Sequence, residues 1–271
     1  MNSSDLRLLC VLAHPDDESL GTGGALAQCA ADGVATYLLT ATRGERGRFG
    51  AAIERPSPEV VGRTREAELR SAAAELGLKD VCVLGYPDGE LDRVNEGEAI
   101  ARIAGHIRRI KPQVVITFGP EGAYGHVDHI AISQFATAAV VAAADSSWRA
   151  DGEPAESHRV SKLYFIAWSA AKWAAYQAAL KRLVAVVDGE ERHATPWPDW
   201  AITTVIDTSR VWPTVWRAVS CHQTQMSIYD RLADLPDEHQ RALWGTQEFY
   251  RVFSTVNGGR RRETDLFEGL R

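Results

Sequence analysis

Short apolar runs alternate with amphipathic stretches along the first 118 residues, and this restricts the fold more than any other feature of the chain. Leu6–Ala13, Val34–Thr42, Val81–Leu84 and Val114–Phe118 have the length and aliphatic content of buried strands. Between them, Gly21–Ala31 reads as a helix of small residues that stops near Gly33. Glu59–Leu76 reads as a strongly amphipathic helix stopped at Gly77, and Asn95–Ile110 carries Ile100, Ile103 and Ile107 on one stripe before Pro112. Strands that alternate with helices imply βαβ units and a parallel sheet. In the common doubly wound order, strands one and four are neighbours. The strand order reverses between them, and ligands bind beyond the carboxyl ends of the strands at that point.

The second half is less regular. Val160–Trp168, Leu183–Val187, Ala201–Asp207 and Gln247–Ser254 read as strands, Ala170–Arg182 and Trp212–Gln225 as helices, and Asp145–His158 and Asp188–Trp200 as polar or Pro-rich loops. There is no internal repeat and no low-complexity linker. The expected fold is therefore α/β: a Rossmann-like, doubly wound, mostly parallel sheet flanked by helices, with an elaborated C-terminal part. We expect one domain over residues 1–271, its core motifs in 6–135 and the elaboration in 150–271; a boundary near residue 150 is the alternative.

Composition narrows the function classes. At 45% hydrophobic and 24% charged residues the chain is ordinary for a globular protein, and a net charge of −6 argues against a nucleic-acid partner, which requires a basic footprint. Cys10, Cys29, Cys82 and Cys221 are widely spaced and form no C-x-x-C pair, a usage that fits a reducing cytosol. The first strand begins too early for a signal peptide, and the uncharged stretch Ile130–Ala144 is shorter than the roughly 18 apolar residues of a membrane span. A cytoplasmic protein is expected, with homo-oligomerisation left open.

Two clusters carry the chemistry. Ala13-His14-Pro15-Asp16-Asp17-Glu18 closes the first strand, and Gly125-His126-Val127-Asp128-His129 follows the fourth. Buried carboxylates are costly unless paired or bound to a metal, and the topology would set the two clusters side by side. A catalytic zinc takes three His or carboxylate ligands and leaves a fourth position for water. His14 and Asp17 share a tight loop that Pro15 keeps out of helical conformation, and His129 supplies the third ligand. Asp16 is then placed to take a proton from water. Asp128 can orient an imidazole, and His126 is left to stabilise an oxyanion or protonate a leaving amine. Against this, Asp-Asp-Glu after a strand can simply cap a helix, and His-x-x-His alone is a weak signal. On this reading Glu18 has a supporting or capping role.

These segments, together with Gly44-Glu45-Arg46-Gly47, Arg65-Glu66-Ala67-Glu68-Leu69-Arg70, Tyr86-Pro87-Asp88-Gly89 and Cys221-His222-Gln223-Thr224-Gln225, resemble the LmbE-like, or PIG-L, deacetylases. That family includes N-acetylglucosaminyl-phosphatidylinositol de-N-acetylase and the mycothiol- and bacillithiol-pathway deacetylases. The resemblance implies a Zn2+ held by His14, Asp17 and His129, with Asp16 as general base and His126 as the transition-state histidine oriented by Asp128. It places Tyr124 in oxyanion contact, and Arg65, Asp88 and, less directly, Glu45 at the substrate. The implied reaction is hydrolysis of an N-acetyl group from an amino sugar or its conjugate, releasing acetate and a free amine. The rivals are an amidase that cleaves a larger N-acyl group or thiol conjugate, and a metal-free nucleotide-binding Rossmann protein. Other transition metals suit the same ligands.

Weaker signals have bland readings. Leu20-Gly21-Thr22-Gly23-Gly24 is not a G-x-G-x-x-G turn, and its small residues suit close helix packing. Trp197 and Trp200 could border a sugar site, but tryptophans more often brace loops. Arg65 and Glu68 could form a surface ion pair, His222 a satisfied structural histidine, Arg260-Arg261-Arg262 a solvated tail, and Asp145–His158 a lid or a plain surface loop.

Overall fold

A computed structural model of the chain describes residues 5–50, 54–148, 156–179, 184–227, 232, 234–259 and 261–271. A single seven-stranded sheet draws strands from both halves of the sequence. The strands are β1 (Arg7–Leu12), β2 (Ala35–Thr42), β3 (Asp80–Tyr86), β4 (Val114–Phe118), β5 (Lys162–Ile166), β8 (Thr204–Asp207) and β9 (Thr246–Ser254). Across the sheet they lie in the order β3-β2-β1-β4-β5-β9-β8. The first five are mutually parallel, and β9 runs antiparallel to both β5 and β8. β1 and β4 pair directly, Leu9 opposite Val115, so the strand order reverses between them as expected. Both are buried nearly throughout, which matches their continuous apolar composition.

The helices cover the sheet in two groups. α1 (Asp17–Ala31) and α2 (Pro58–Leu76) pack with α7 (Trp212–Cys221), while α3 (Glu96–Ile110) packs with α5 (Val127–Ala144). α2 has the local signals that define its ends. Ser57 accepts the Val60 N–H, Pro58 opens the first turn, and Gly77 closes the helix at φ 75°. The apolar stretch Ile130–Ala144 lies in α5, which buries Ile132, Phe135, Ala136, Ala139 and Val140 against α3, β1 and β4. The glycines of α1 serve packing: a Cβ at Gly24 would stand 2.9 Å from Thr208, and one at Gly23 would stand 3.1 Å from Val215. Close helix packing is thus the role of these glycines, as expected, and it weakens the nucleotide-binding rival.

Several boundaries differ from expectation. α1 starts at Asp17 rather than Gly21, so Asp17 and Glu18 form its first turn. The expected loop Asp188–Trp200 contains strand β7 (Glu190–His193), which forms a hairpin with β6 (Val184–Val187) across Asp188-Gly189, both at positive φ. The helix expected over Ala170–Arg182 is α6 (Ala170–Ala179), with residues 180–183 outside the described set, and α7 ends at Cys221 rather than Gln225. A further helix, α8 (Asp237–Trp244), follows Pro236. Residues 149–155 of the segment expected as a lid or surface loop, and Arg260, also lie outside the described residues. The described ends of that segment bind at the amino end of the sheet, where His158 Nε2 meets the Pro112 carbonyl at 2.7 Å and Arg108 meets the carbonyls of Asp145 and Trp148. They are therefore on the side opposite the carboxyl ends of the strands.

The C-terminal segment is fastened to the sheet by Glu263, almost fully buried. Its carboxylate accepts bonds from Lys162 Nζ (2.7 Å), Tyr164 OH (2.7 Å), Thr204 Oγ1 (2.9 Å) and Asn257 Nδ2 (2.6 Å), and Arg251 lies 2.8 Å away. Glu263→Ala would strand the fully buried Lys162 ammonium. We expect a loss of about 3–5 kcal/mol, read by urea denaturation. Burial pushes the Glu263 carboxyl up, but Lys162, Asn257, Tyr164 and Thr204 more than reverse this and hold it at about 2, against 4.5 when free. Its contribution is thus complete above pH 4.5 and is lost as pH falls toward 2. Glu263→Gln should flatten that acid limb.

Candidate active site

The loop leaving β1 is shaped by its own carboxylates. Asp17 Oδ2 accepts the N–H of His14 at 2.7 Å and of Ala13 at 3.2 Å, folding the segment back on itself. Asp16 precedes α1 at φ 111°, and its side chain makes no capping bond to the helix. Its carboxylate instead meets Arg65 Nη2 at 3.2 Å. Arg65 also donates to the carbonyls of Gly44 and Pro15. Gly44, at φ 63°, lies so close to that guanidinium that no side chain could be accommodated.

Beyond β4 the backbone turns through Gly122, Ala123 and Gly125, all at positive φ, in the single turn α4 (Gly122–Gly125). The turn brings Tyr124 and His126 over the end of the sheet. His126 caps α5, its Nδ1 accepting the Asp128 N–H at 3.2 Å, which leaves Nε2 to carry the ring proton. His129 sits one turn further on, its ring stacked on Phe118 with centroids 3.9 Å apart.

The structure brings the two clusters together. His14 Nδ1 lies 3.2 Å from His129 Nε2 and 3.6 Å from Asp17 Oδ2, and His129 Nε2 lies 3.4 Å from Asp17 Oδ1. Ligands of a tetrahedral zinc, bound at about 2.0–2.2 Å, stand about 3.3–3.6 Å apart. The two imidazole nitrogens thus lie close to the spacing of two such ligands, and the Asp17 carboxylate turns a different oxygen to each of them. The opposite edge of His14 is occupied differently, with Nε2 lying 3.0 Å from Asp128 Oδ2 and 3.2 Å from Asp88 Oδ1. Those carboxylates are themselves anchored: Asp128 by the N–H groups of Gly89 (2.7 Å) and Leu91 (3.0 Å), and Asp88 by that of Arg46 (2.7 Å). They accept the proton of His14 Nε2, so that Nδ1 is the ring atom turned toward His129 and Asp17. The orienting carboxylate of Asp128 therefore serves His14 and not His126, which it meets only through its backbone N–H.

The charges add to this picture. Burial pushes Asp17 and Asp128 up, but the neighbouring imidazoles (His129 and His14 for Asp17, His14 for Asp128) bring both below the usual carboxylate range, and Asp88 lies at about 2. Three ionised carboxylates thus surround His14, which they hold well above an ordinary histidine despite its burial. Asp16 behaves differently: burial raises it, Arg65 opposes, and the Asp17 charge raises it further. Burial, followed by His14 and His129, lowers His126 to about 4, and burial keeps Tyr124 a neutral phenol.

His14, Asp16, Asp17, Asp88, Tyr124, His126 and His129 line one side of a cavity of about 410 Å³. Leu20, Phe118, Trp168 and Tyr176 form much of its other side, with Trp168 and Tyr176 stacked at 4.6 Å. Trp197 and Trp200, the two tryptophans that could border a sugar site, do not line it. Trp200 is 85% exposed, and Trp197 donates to Glu121 outside the cavity. Arg65 and Asp88 reach the cavity wall, but both are committed to protein partners. Glu45 accepts the Asp88 N–H at 2.8 Å and does not line the cavity. Glu68 pairs not with Arg65 but with Thr224, through its N–H and hydroxyl, both at 2.7 Å. His222 meets Glu18 at 2.8 Å in full burial, a contact between positions too distant in sequence for any local signal.

Comparison with known proteins identifies the family. The family model for PIG-L, GlcNAc-PI de-N-acetylase, matches residues 9–140. The 1D-myo-inositol 2-acetamido-2-deoxy-alpha-D-glucopyranoside deacetylase of Kineococcus radiotolerans is 34% identical over 97% of this chain and 83% of its own. Its namesake from Rhodococcus jostii is 33% identical over 98% and 99%. The crystal structure of a conserved protein from Thermus thermophilus superposes with a TM-score of 0.65 at 28% identity, covering 93% of this chain and 97% of that one. With relatives aligned along nearly its whole length, the chain belongs to the PIG-L, or LmbE-like, family of de-N-acetylases.

Proposed function

We propose that this protein is a zinc-dependent hydrolase that removes the acetyl group from a small N-acetylated amino-sugar conjugate, with a glucosaminyl-inositol as the first candidate. One observation carries the reading: His14 Nδ1, His129 Nε2 and the Asp17 carboxylate meet within 3.2–3.6 Å of one another at a cavity wall directly beside Asp16. Zinc held there supplies Lewis acidity and lowers the pKa of water toward about 7.

The chain's own residues do the rest. Asp16, kept basic by burial and aimed by Arg65, takes the proton from the attacking water and returns it to the departing amine. His126 Nε2–H and the Tyr124 hydroxyl are neutral donors on the cavity wall, suited to the oxyanion that develops at the acetyl carbonyl. Asp128 and Asp88 hold the His14 ring, and Glu45 holds the Asp88 backbone. The apolar side formed by Leu20, Phe118, Trp168 and Tyr176 favours, as a second reading, a larger N-acyl group at the same site.

The test is acetate release from N-acetylglucosaminyl-inositol and a panel of N-acetylglucosaminides with acyl chains of increasing length, with metal analysis of the same protein. We expect acetate and free amine in equal amounts, lost on chelation and restored by zinc. A metal-loaded protein that releases no acid from any member of the panel would overturn the reading.

A further inference from the structure

We infer that Glu18 and His222 form a buried strut that holds Asp16 in its working conformation, so that the C-terminal half positions the base without touching the substrate. This rests on the reading of Asp16 as the base. Both strut residues are fully buried. Glu18 Oε1 receives His222 Nε2 at 2.8 Å and Ser19 Oγ at 2.6 Å, while Oε2 receives the backbone N–H of Asp16 at 3.0 Å. That last bond acts on the residue whose backbone is the exception in the loop, a non-glycine at φ 111°. Such conformations persist only where the surroundings over-determine them. Asp16 is gripped at two points: Arg65 holds its carboxylate, and Glu18 holds its N–H.

His222 can serve as an anchor because its own position is well fixed. It caps α7 through its N–H to the Val219 carbonyl, and its carbonyl accepts the Gln225 N–H at 2.9 Å. The turn that follows is tied to α2 through Thr224 and Glu68, and to the loop after β2 by Gln225 Nε2 on the Arg48 carbonyl and Gly50 N–H on the Thr224 carbonyl. Neither Glu18 nor His222 lines the cavity. Their action on the reaction passes through Asp16 alone, which makes them positioning residues.

The experiment compares His222→Ala, His222→Gln and Glu18→Gln for kcat, KM, zinc content, melting temperature and crystal structure. In His222→Ala we expect kcat to fall on the order of 10²-fold, as for other small displacements of a catalytic group. KM should change less than about twofold, zinc content should be full, and Asp16 should leave positive φ. His222→Gln keeps a donor for Glu18 and should recover most of kcat. Glu18→Gln keeps an oxygen for the Asp16 N–H and should retain φ and most of kcat, which decides the matter if His222→Ala does not fold. The inference fails if His222→Ala keeps wild-type kcat or an unmoved Asp16. It also fails if Glu18→Gln loses activity with Asp16 in place, or if kcat falls only in step with melting temperature in all three. A wild-type protein that releases no acetate would overturn the deacetylase reading instead, and Asp16 φ in the variants would still decide this one.

Discussion

Asp16→Asn should bind zinc at the wild-type level and lose about 10²–10⁴ in kcat for acetate release, the range for removal of a general base. The substitution is nearly isosteric and keeps an oxygen for Arg65 Nη2, so neither the loop nor the backbone at position 16 has a reason to move. It removes the ability to accept a proton together with the charge that faces Arg65. Because Asp16 is not among the three donors that face one another, metal content should be unchanged. Substrate binding should change little, so the loss should fall on kcat and leave KM within a fewfold. Metal analysis and steady-state acetate release on one preparation check all three statements. Full activity in Asp16→Asn would sink the assignment, and loss of zinc would place Asp16 among the ligands.

The contrast with Arg65 and Asp88 refines what resemblance implied. Arg65 binds two backbone carbonyls and Asp16, and Asp88 binds His14 and the Arg46 N–H. Their side chains hold the shape of the cavity wall before any ligand arrives. A contact with substrate would come in addition to that work.

The legible part of this protein is whatever depends on local pattern or on topology. The strand runs gave β1, β2, β3 and β4, and the rule that ligands gather where strand order reverses brought His14 beside His129. Local turn chemistry is also present at Asp188-Gly189, a hairpin signal between Val187 and Glu190 hidden within a stretch that otherwise reads as loop. Other features have no local signature. The start of α1 is not apparent because its cap, Asp16, spends its side chain on Arg65 and not on the helix. The partner of Asp128 cannot be read from the spacing of His126, Asp128 and His129, because the N-terminal turn of α5 aims that carboxylate across to His14. Trp168 and Tyr176 become a cavity wall only because β5 lies next to β4, which sends the chain after β5 toward the site.

Loss of a metal ligand should give the largest effect, and the two histidines should differ in how they fail. His129→Ala removes one of three donors and the ring stacked on Phe118, but it leaves Asp88 and Asp128 with their partner His14. The variant should fold, carry no stoichiometric zinc and show no acetate release above background, even with zinc in excess. Ligand binding stabilises a fold by RT ln(1 + [L]/Kd), about 2.7 kcal/mol at 100 times Kd. Zinc should therefore raise the melting temperature of the wild type and leave that of His129→Ala unmoved. His14→Ala should lose zinc in the same way and also lose stability in the metal-free state. Asp128, fully buried, would keep its charge with the N–H groups of Gly89 and Leu91, and Asp88 with the Arg46 N–H and the charge of Arg65, but neither with an imidazole. Breaking a buried charged contact from one side costs about 3–5 kcal/mol. Urea denaturation of both variants in chelator isolates that difference, since neither then holds metal. Equal metal-free stability would mean that the two carboxylates do not depend on His14, and stoichiometric zinc with activity in His129→Ala would remove it from the site.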